Sequence, residues 1–171
     1  PKKLENYLKK SVIFKKGSAY NKKTNRRISC FILLHLFGHP SKVDVIKKIL
    51  SKFKIPIIED AAEGLGSFYK KKHLGTFGNI GVLSFNGNKI ITTGSGGAIL
   101  TNNKSIAKKL KFLTTTAKIP HKWRYEYSDT GFNYRLAGIN AALGCSQLKK
   151  LENYIRQKRK LFLVYLKNFS G

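Results

Sequence analysis

From Ser29 to Asp60 the chain spells out a strand, a helix and a second strand in immediate succession, and this run limits the fold more than any other feature. Ser29 to Phe37 is a continuous apolar run closed by Gly38-His39-Pro40, the pattern of a strand buried on both faces. Ser41 to Lys54 then carries Val43, Ile46, Ile49 and Leu50 at helical spacing. Ser41 stands as an N-cap with Asp44 three residues on, an approximate capping box. Ile55 to Ile58 is the second strand. A βαβ unit of this length implies a parallel pair joined by a right-handed crossover. The second strand ends in Glu59-Asp60, at the carboxyl edge where ligands of open α/β sheets bind.

The remaining pattern extends this plan. Leu4, Tyr7, Leu8 and Val12 share a helical face within Pro1 to Lys16, and Gly17 to Arg27 reads as a polar, basic surface loop. Gly81 to Phe85 and Gly97 to Thr101 are short strands on either side of a glycine-rich turn, and Ser105 to Leu113 reads as a helix. From Asn140 to Phe169, Leu143, Leu148, Leu151, Ile155, Leu161 and Leu166 support a long helix broken once. The expectation is one domain of α/β class.

Charge points elsewhere at first. A formal charge of +26 on 171 residues suggests nucleic acid or an anionic membrane surface. The positive residues are mostly lysine and run along the whole chain, with no RNA-binding aromatic signature, zinc-ligand spacing or confined basic helix. They read better as decoration of solvated faces than as a basic nucleic-acid-binding module, and no metal is expected. Cys30 and Cys145 each lie in an apolar stretch and read as buried small hydrophobes in a reducing, cytoplasmic setting. No signal peptide is visible, and the apolar cluster from Ile28 to Phe37 is too short to span a bilayer. With no methionine, a start at Pro1 and a stop at Ser170-Gly171, the chain reads as a piece of a longer protein.

Three of only eight acids, Glu59, Asp60 and Glu63, fall within five positions, and Lys89 follows in Ser84-Phe85-Asn86-Gly87-Asn88-Lys89. A carboxylate at a strand end, a hydroxyl, a lysine and a glycine-rich turn suit a phosphorylated, carbonyl-bearing cofactor. Pyridoxal phosphate has a ring nitrogen that takes an anion, an aldehyde that takes an amine, and a phosphate that takes hydroxyls and backbone N–H groups. Taken singly, each residue has a plainer reading. Asp60 alone is better read as a helix N-cap before Ala61-Ala62-Glu63. Lys89 sits between apolar runs that favour a neutral, nucleophilic amine, yet most lysines snorkel into solvent. Ser84 is also an ordinary strand serine, and Gly94, Gly96 and Gly97 also make a tight turn.

The order of motifs carries more. Ile57-Ile58-Glu59-Asp60-Ala61-Ala62-Glu63, Gly75-Thr76-Phe77-Gly78, the Ser84-to-Lys89 segment, Thr92-Thr93-Gly94-Ser95-Gly96-Gly97 and Gly131-Phe132-Asn133-Tyr134-Arg135 resemble the DegT/StrS-type sugar-nucleotide aminotransferases. His35-Leu36-Phe37-Gly38 and Ala141-Ala142-Leu143-Gly144 extend the likeness over nearly the whole chain. The resemblance implies an aspartate-aminotransferase-like (fold type I) large domain, a mostly parallel sheet flanked by helices and incomplete at both ends. Residues 1–150 would be part of the pyridoxal-phosphate-binding domain, and 151–171 would begin the helix toward a C-terminal small domain.

The resemblance further implies that Lys89 binds the cofactor covalently and moves the proton, that Asp60 pairs with the ring nitrogen, and that Ser84 binds the phosphate. Glu63 stands beside the ring hydroxyl where many members have glutamine, a departure because a carboxylate accepts but does not donate. Asn133 would reach the cofactor phosphate of a neighbouring subunit, making a homodimer with shared active sites. His121, Tyr134 and Arg135 would line the nucleotide-sugar side, although plain structural roles account for them equally well. The implied reaction is transamination of a nucleotide-linked keto-sugar, with glutamate as amino donor, serving polysaccharide or related biosynthesis. An inactive aminotransferase remnant is the alternative.

Overall fold

The computed structural model describes residues 1–169; Ser170 and Gly171, the end of the expected terminal segment, lie outside the described residues. The chain divides into two units, residues 1–84 with Gly97–Leu100, and residues 85–96 with 101–171.

The first unit opens with helix α1 (Lys2–Ser11), which buries Leu8. Val12, expected on that helical face, instead starts strand β1 (Val12–Lys15), which forms an antiparallel hairpin with β2 (Ser18–Asn21). The stretch expected to be a surface loop is therefore partly strand. A β-branched pair, Val12-Ile13, ends the helix, and Lys16-Gly17 turns the chain with both residues at positive φ.

Strand β3 (Phe31–Leu34), helix α2 (Val43–Lys52) and strand β4 (Ile57–Asp60) form the expected βαβ unit, with β3 and β4 paired in parallel from Phe31↔Ile57 to Leu34↔Asp60. Two details differ from the expected pattern. Strand β3 buries Leu33 but exposes Ile32 and Leu34, so it is not covered on both faces. The capping box does not form either. Ser41 Oγ donates to the Leu34 carbonyl at 2.8 Å, while Asp44 Oδ1 accepts from Val45 N–H and from the Tyr69 hydroxyl. Helix α2 is held by burial instead. Val43, Ile49 and Leu50 pack with Leu8, Ala19, Leu33, Ile55 and Ile57 into the core.

A small hairpin, β5 (Phe68–Tyr69) and β6 (Lys72–His73), precedes β7 (Ile80–Ser84), and β8 (Gly97–Leu100) completes the unit. The main sheet runs β3-β4-β7-β8, parallel except for the antiparallel β7-β8 pair. The second unit holds α3 (Lys104–Thr114), capped by Asn103 Oδ1 on Ile106 N–H, then the pair β9 (Lys118–Ile119) and β10 (Glu126–Tyr127). Helices α4 (Gly138–Leu148) and α5 (Leu151–Phe169) follow, matching the long helix with one break. Their periodic leucines are not covered within the chain: Leu143, Leu148, Leu161 and Leu166 are all exposed. The cysteines depart from expectation as well. Cys30 is half-buried and Cys145 exposed, because Cys145 falls on an open face of α4; both are free thiols.

Candidate active site

Period-two alternation divides the two acids that end β4. Glu59 is fully buried, and its carboxylate is saturated. Oε2 accepts from Gly75 N–H at 2.9 Å and lies 3.0 Å from His35 Nε2, while Oε1 accepts from the N–H groups of Phe77 and Gly78. Ser41 N–H donates to His35 Nδ1, which leaves the ring proton on Nε2, donated to Glu59. Four donors on one carboxylate tie β4 to the turn before β7 and to the end of β3. The Gly75-Thr76-Phe77-Gly78 motif thus presents backbone N–H groups to a buried anion. Glu59 and His35 are the residues whose roles the sequence reading missed. The available signal was an acid in the inward position of an apolar strand.

Asp60 points to the other face and is half-buried at the carboxyl end of β4. No helix opens after it, so the N-cap reading does not hold. Instead Asp60 Oδ1 accepts from Ala62 N–H at 3.2 Å in a local turn. This carboxylate retains acceptor capacity beyond the strand ends, which fits a protonated aromatic ring nitrogen. Ser84 ends β7, two residues past Val82, the register partner of Asp60, so hydroxyl and carboxylate occupy the same edge of the sheet. Glu63 is exposed, and its Oε2 accepts from Phe37 N–H at 2.9 Å. That bond holds Phe37 at φ 52, in the left-handed region that aromatic residues rarely adopt.

Lys89 belongs to the second unit, in the loop from Phe85 to Gly96. The loop closes on itself through Phe85 N–H to Gly96 O at 2.9 Å and Thr93 N–H to Phe85 O at 3.0 Å, with Gly94 and Gly96 at positive φ. One face of α4 fastens it at positions 140, 144 and 147. The Asn140 amide donates to Thr93 O, and Gln147 Oε1 accepts from Thr92 N–H at 2.9 Å. Gly144 leaves room for Thr93, whose Cγ2 would stand 2.7 Å from an added Cβ. Lys89 itself is half-buried and lines a pocket of about 380 Å³ with Ile90, Gln147, Tyr154, Gln157, Lys158 and Leu161.

The other expected residues are on the surface of the second unit. Asn133 bridges Thr115 and accepts from Arg135 Nε at 3.4 Å; Tyr134 stacks on Phe132 with ring centres 5.1 Å apart. Asn133, Tyr134 and Arg135 are all exposed. His121 is exposed too, with Nδ1 accepting from Trp123 and Arg124 N–H groups. Among the described residues no group of three or more His, Cys, Asp or Glu is arranged to hold a metal, and no helix is long and apolar enough to cross a membrane.

The sequence profile of the DegT/DnrJ/EryC1/StrS aminotransferase family matches residues 16–171. EpsN of Bacillus subtilis (strain 168) is 43% identical over 140 residues, covering 82% of this chain and 36% of EpsN. GDP-perosamine synthase of Escherichia coli O157:H7 is 36% identical over 154 residues, covering 90% and 42%. Among solved structures, Helicobacter pylori PseC, an aminotransferase involved in the biosynthesis of pseudoaminic acid, superposes with a TM-score of 0.81 at 29% identity. It covers 94% of this chain and 45% of PseC. The fold is the type I aminotransferase α/β arrangement, and the chain spans about two-fifths of the length of the curated relatives it matches.

Proposed function

The chain belongs to the DegT/DnrJ/EryC1/StrS aminotransferase family, and from that premise we propose that its protein is a pyridoxal-phosphate-dependent aminotransferase acting on a nucleotide-linked keto-sugar. The observation that carries this reading is the split between neighbouring acids: Glu59 is consumed by structure, while Asp60 keeps a half-buried carboxylate with acceptor capacity at the carboxyl edge of the sheet. The substrate class is supported by the relatives, of which one is named a GDP-perosamine synthase.

When bound, pyridoxal phosphate supplies a carbonyl that takes up an amine and an electron-withdrawing ring that makes the adjacent C–H acidic. Asp60 holds the ring nitrogen protonated by accepting its N–H. Ser84 Oγ donates to a phosphate oxygen. Glu63, whose Oε2 accepts from Phe37 N–H, acts toward a ring hydroxyl as an acceptor. Lys89 Nζ removes the proton from the α-carbon of the amino donor, glutamate in this proposal. The same amine returns a proton to the sugar carbon that receives nitrogen, at the 4-keto or 3-keto position. Asn133, exposed and on the second unit, reaches the cofactor phosphate of a partner subunit in a homodimer. Tyr134, Arg135 and His121 face the nucleotide-sugar.

The test is spectroscopic first. The protein mixed with pyridoxal phosphate should develop a visible absorption band, and Lys89→Ala should abolish both band and turnover of a nucleotide-linked 4-keto-sugar. A band that survives in Lys89→Ala overturns the assignment of Lys89. A wild-type protein with no band corresponds to the inactive remnant.

A further inference from the structure

His35 is a buried titratable residue to which the proposed chemistry gives no part. Its side chain is fully enclosed and both ring nitrogens are bonded: Nε2–H donates to Glu59 Oε2 at 3.0 Å, and Nδ1 accepts from Ser41 N–H at 3.3 Å. An apolar residue would fill the same space without the desolvation cost that two polar nitrogens bring. What the ring adds is direction, since its bonds fix one orientation of the residue that follows β3. The backbone of that residue meets the end of β4. His35 N–H donates to the Asp60 carbonyl at 3.0 Å, and Ala61 N–H donates to Val82 O at 3.0 Å. The peptide group joining Asp60 to Ala61 is therefore held from both sides. On one side β7 holds it, where strand pairing runs on past Val82. On the other side β3 has already ended at Leu34, and the chain turns toward Phe37 at φ 52. The anchor there is the His35 ring on the carboxylate of Glu59, the residue immediately before Asp60. His35 thus grips β4 twice, at one side chain and at the next carbonyl.

We propose that His35 is a positioning residue for Asp60: its ring, bonded to Glu59 and Ser41, sets where the end of β4 places the Asp60 carboxylate. The inference rests on the reading of Asp60 as partner of the cofactor ring nitrogen, and it involves residues of the first unit alone. A hydrogen bond to a ring nitrogen is directional, and a group that makes one needs placement to within about 0.5 Å. Two substitutions separate the arms of the ring. His35→Gln brings an amide N–H to the place of Nε2 and keeps the bond to Glu59. His35→Asn brings an amide oxygen to the place of Nδ1 and keeps the bond from Ser41 N–H. The Glu59 arm is the one that reaches β4, so the two variants should behave differently.

His35→Leu, His35→Asn and His35→Gln are compared on the full protein with Ile49→Ala, which opens the core at α2 and reports what lost stability alone does. Without cofactor, the readout is hydrogen exchange at the Ala62 amide, whose N–H donates to Asp60 Oδ1. With pyridoxal phosphate isotopically labelled at its ring nitrogen, the readouts are the cofactor Kd and the chemical shift of that nitrogen. In His35→Leu and His35→Asn, exchange at Ala62 and the Kd should each rise about tenfold, the worth of one charge-assisted hydrogen bond. The ring nitrogen should move toward the shift of a neutral pyridine. His35→Gln and Ile49→Ala should stay near the wild type in all three. Wild-type exchange and nitrogen shift in a folded His35→Leu overturn the inference, as does an Ile49→Ala variant that reproduces the changes. Where His35→Leu does not fold, the contrast between His35→Asn and His35→Gln decides, and equal values overturn it. A wild-type protein that binds no cofactor, or an Asp60→Asn variant with an unaltered nitrogen shift, removes the reading of Asp60 instead. Exchange at Ala62 in the cofactor-free protein then still decides whether His35 places that carboxylate.

Discussion

Replacing Glu59 by glutamine should damage this protein far more than replacing its neighbour Asp60 by asparagine. The Glu59 carboxylate accepts from four donors: His35 Nε2–H and Gly75 N–H on one oxygen, Phe77 and Gly78 N–H on the other. Glutamine puts an NH₂ group where one oxygen stood. Whichever way the amide turns, two buried donors then face a donor. His35 cannot relieve the conflict by moving its proton, because Nδ1 already accepts from Ser41 N–H. Each stranded donor costs about 1–3 kcal/mol, and the two surviving bonds lose their charge assistance. The sum is about 3–5 kcal/mol. Asp60 is half-buried with one local bond, so Asp60→Asn should cost under about 1 kcal/mol while impairing cofactor retention. Urea unfolding followed by far-ultraviolet circular dichroism is the suitable assay; Trp123 fluorescence is not, since that side chain is 79% exposed. With a slope of about 1–3 kcal/mol per molar, the Glu59→Gln midpoint should fall by about 1 M or more. A midpoint for Glu59→Gln equal to that of Asp60→Asn would refute the division of labour between the two acids.

Two further outcomes are expected. Gly81→Ala should unfold more readily, by at least about 1–3 kcal/mol, because its Cβ would stand 1.9 Å from the Gly75 carbonyl oxygen; an unchanged melting temperature would contradict this contact. Asp44 has its carboxyl pulled down to about 2, first by Lys70 and then by the Tyr69 hydroxyl. A depressed acid contributes stability that is present above its ordinary value and lost as pH falls through the folded one. The thermal midpoint should therefore drop between about pH 4 and pH 2, and Asp44→Asn should flatten that drop; identical profiles would remove the role of Asp44.

The βαβ unit could be read from sequence because Val43, Ile49 and Leu50 keep helical spacing between two apolar runs, and burial alone decides such elements. The hairpin of β1 and β2 was not legible, because lysines and polar residues around its turn hide a pairing made by backbone bonds. The capping box failed for a tertiary reason: Ser41 and Asp44 found partners in Leu34 and Tyr69, which local sequence does not show. Asp60 was legible as the end of a strand and Ser84 as a residue within one, a position short of the Phe85 expected to close it. Glu59 was not separated from Asp60, although strand alternation sends adjacent side chains to opposite faces. The fastening of the Lys89 loop by Asn140 and Gln147 joins residues some fifty positions apart, beyond any local pattern.

Lys89 is chemically one lysine among 34 Lys and Arg residues, and only its setting distinguishes it. Incubating the protein with pyridoxal phosphate, reducing with borohydride and mapping the peptides by mass spectrometry tests that setting directly. The expected result is one pyridoxyl group fixed on Lys89, with protection of the other lysines limited only by their solvent reactivity at excess reagent. Label scattered over surface lysines at stoichiometric cofactor, with Lys89 no richer than the rest, would contradict the central claim.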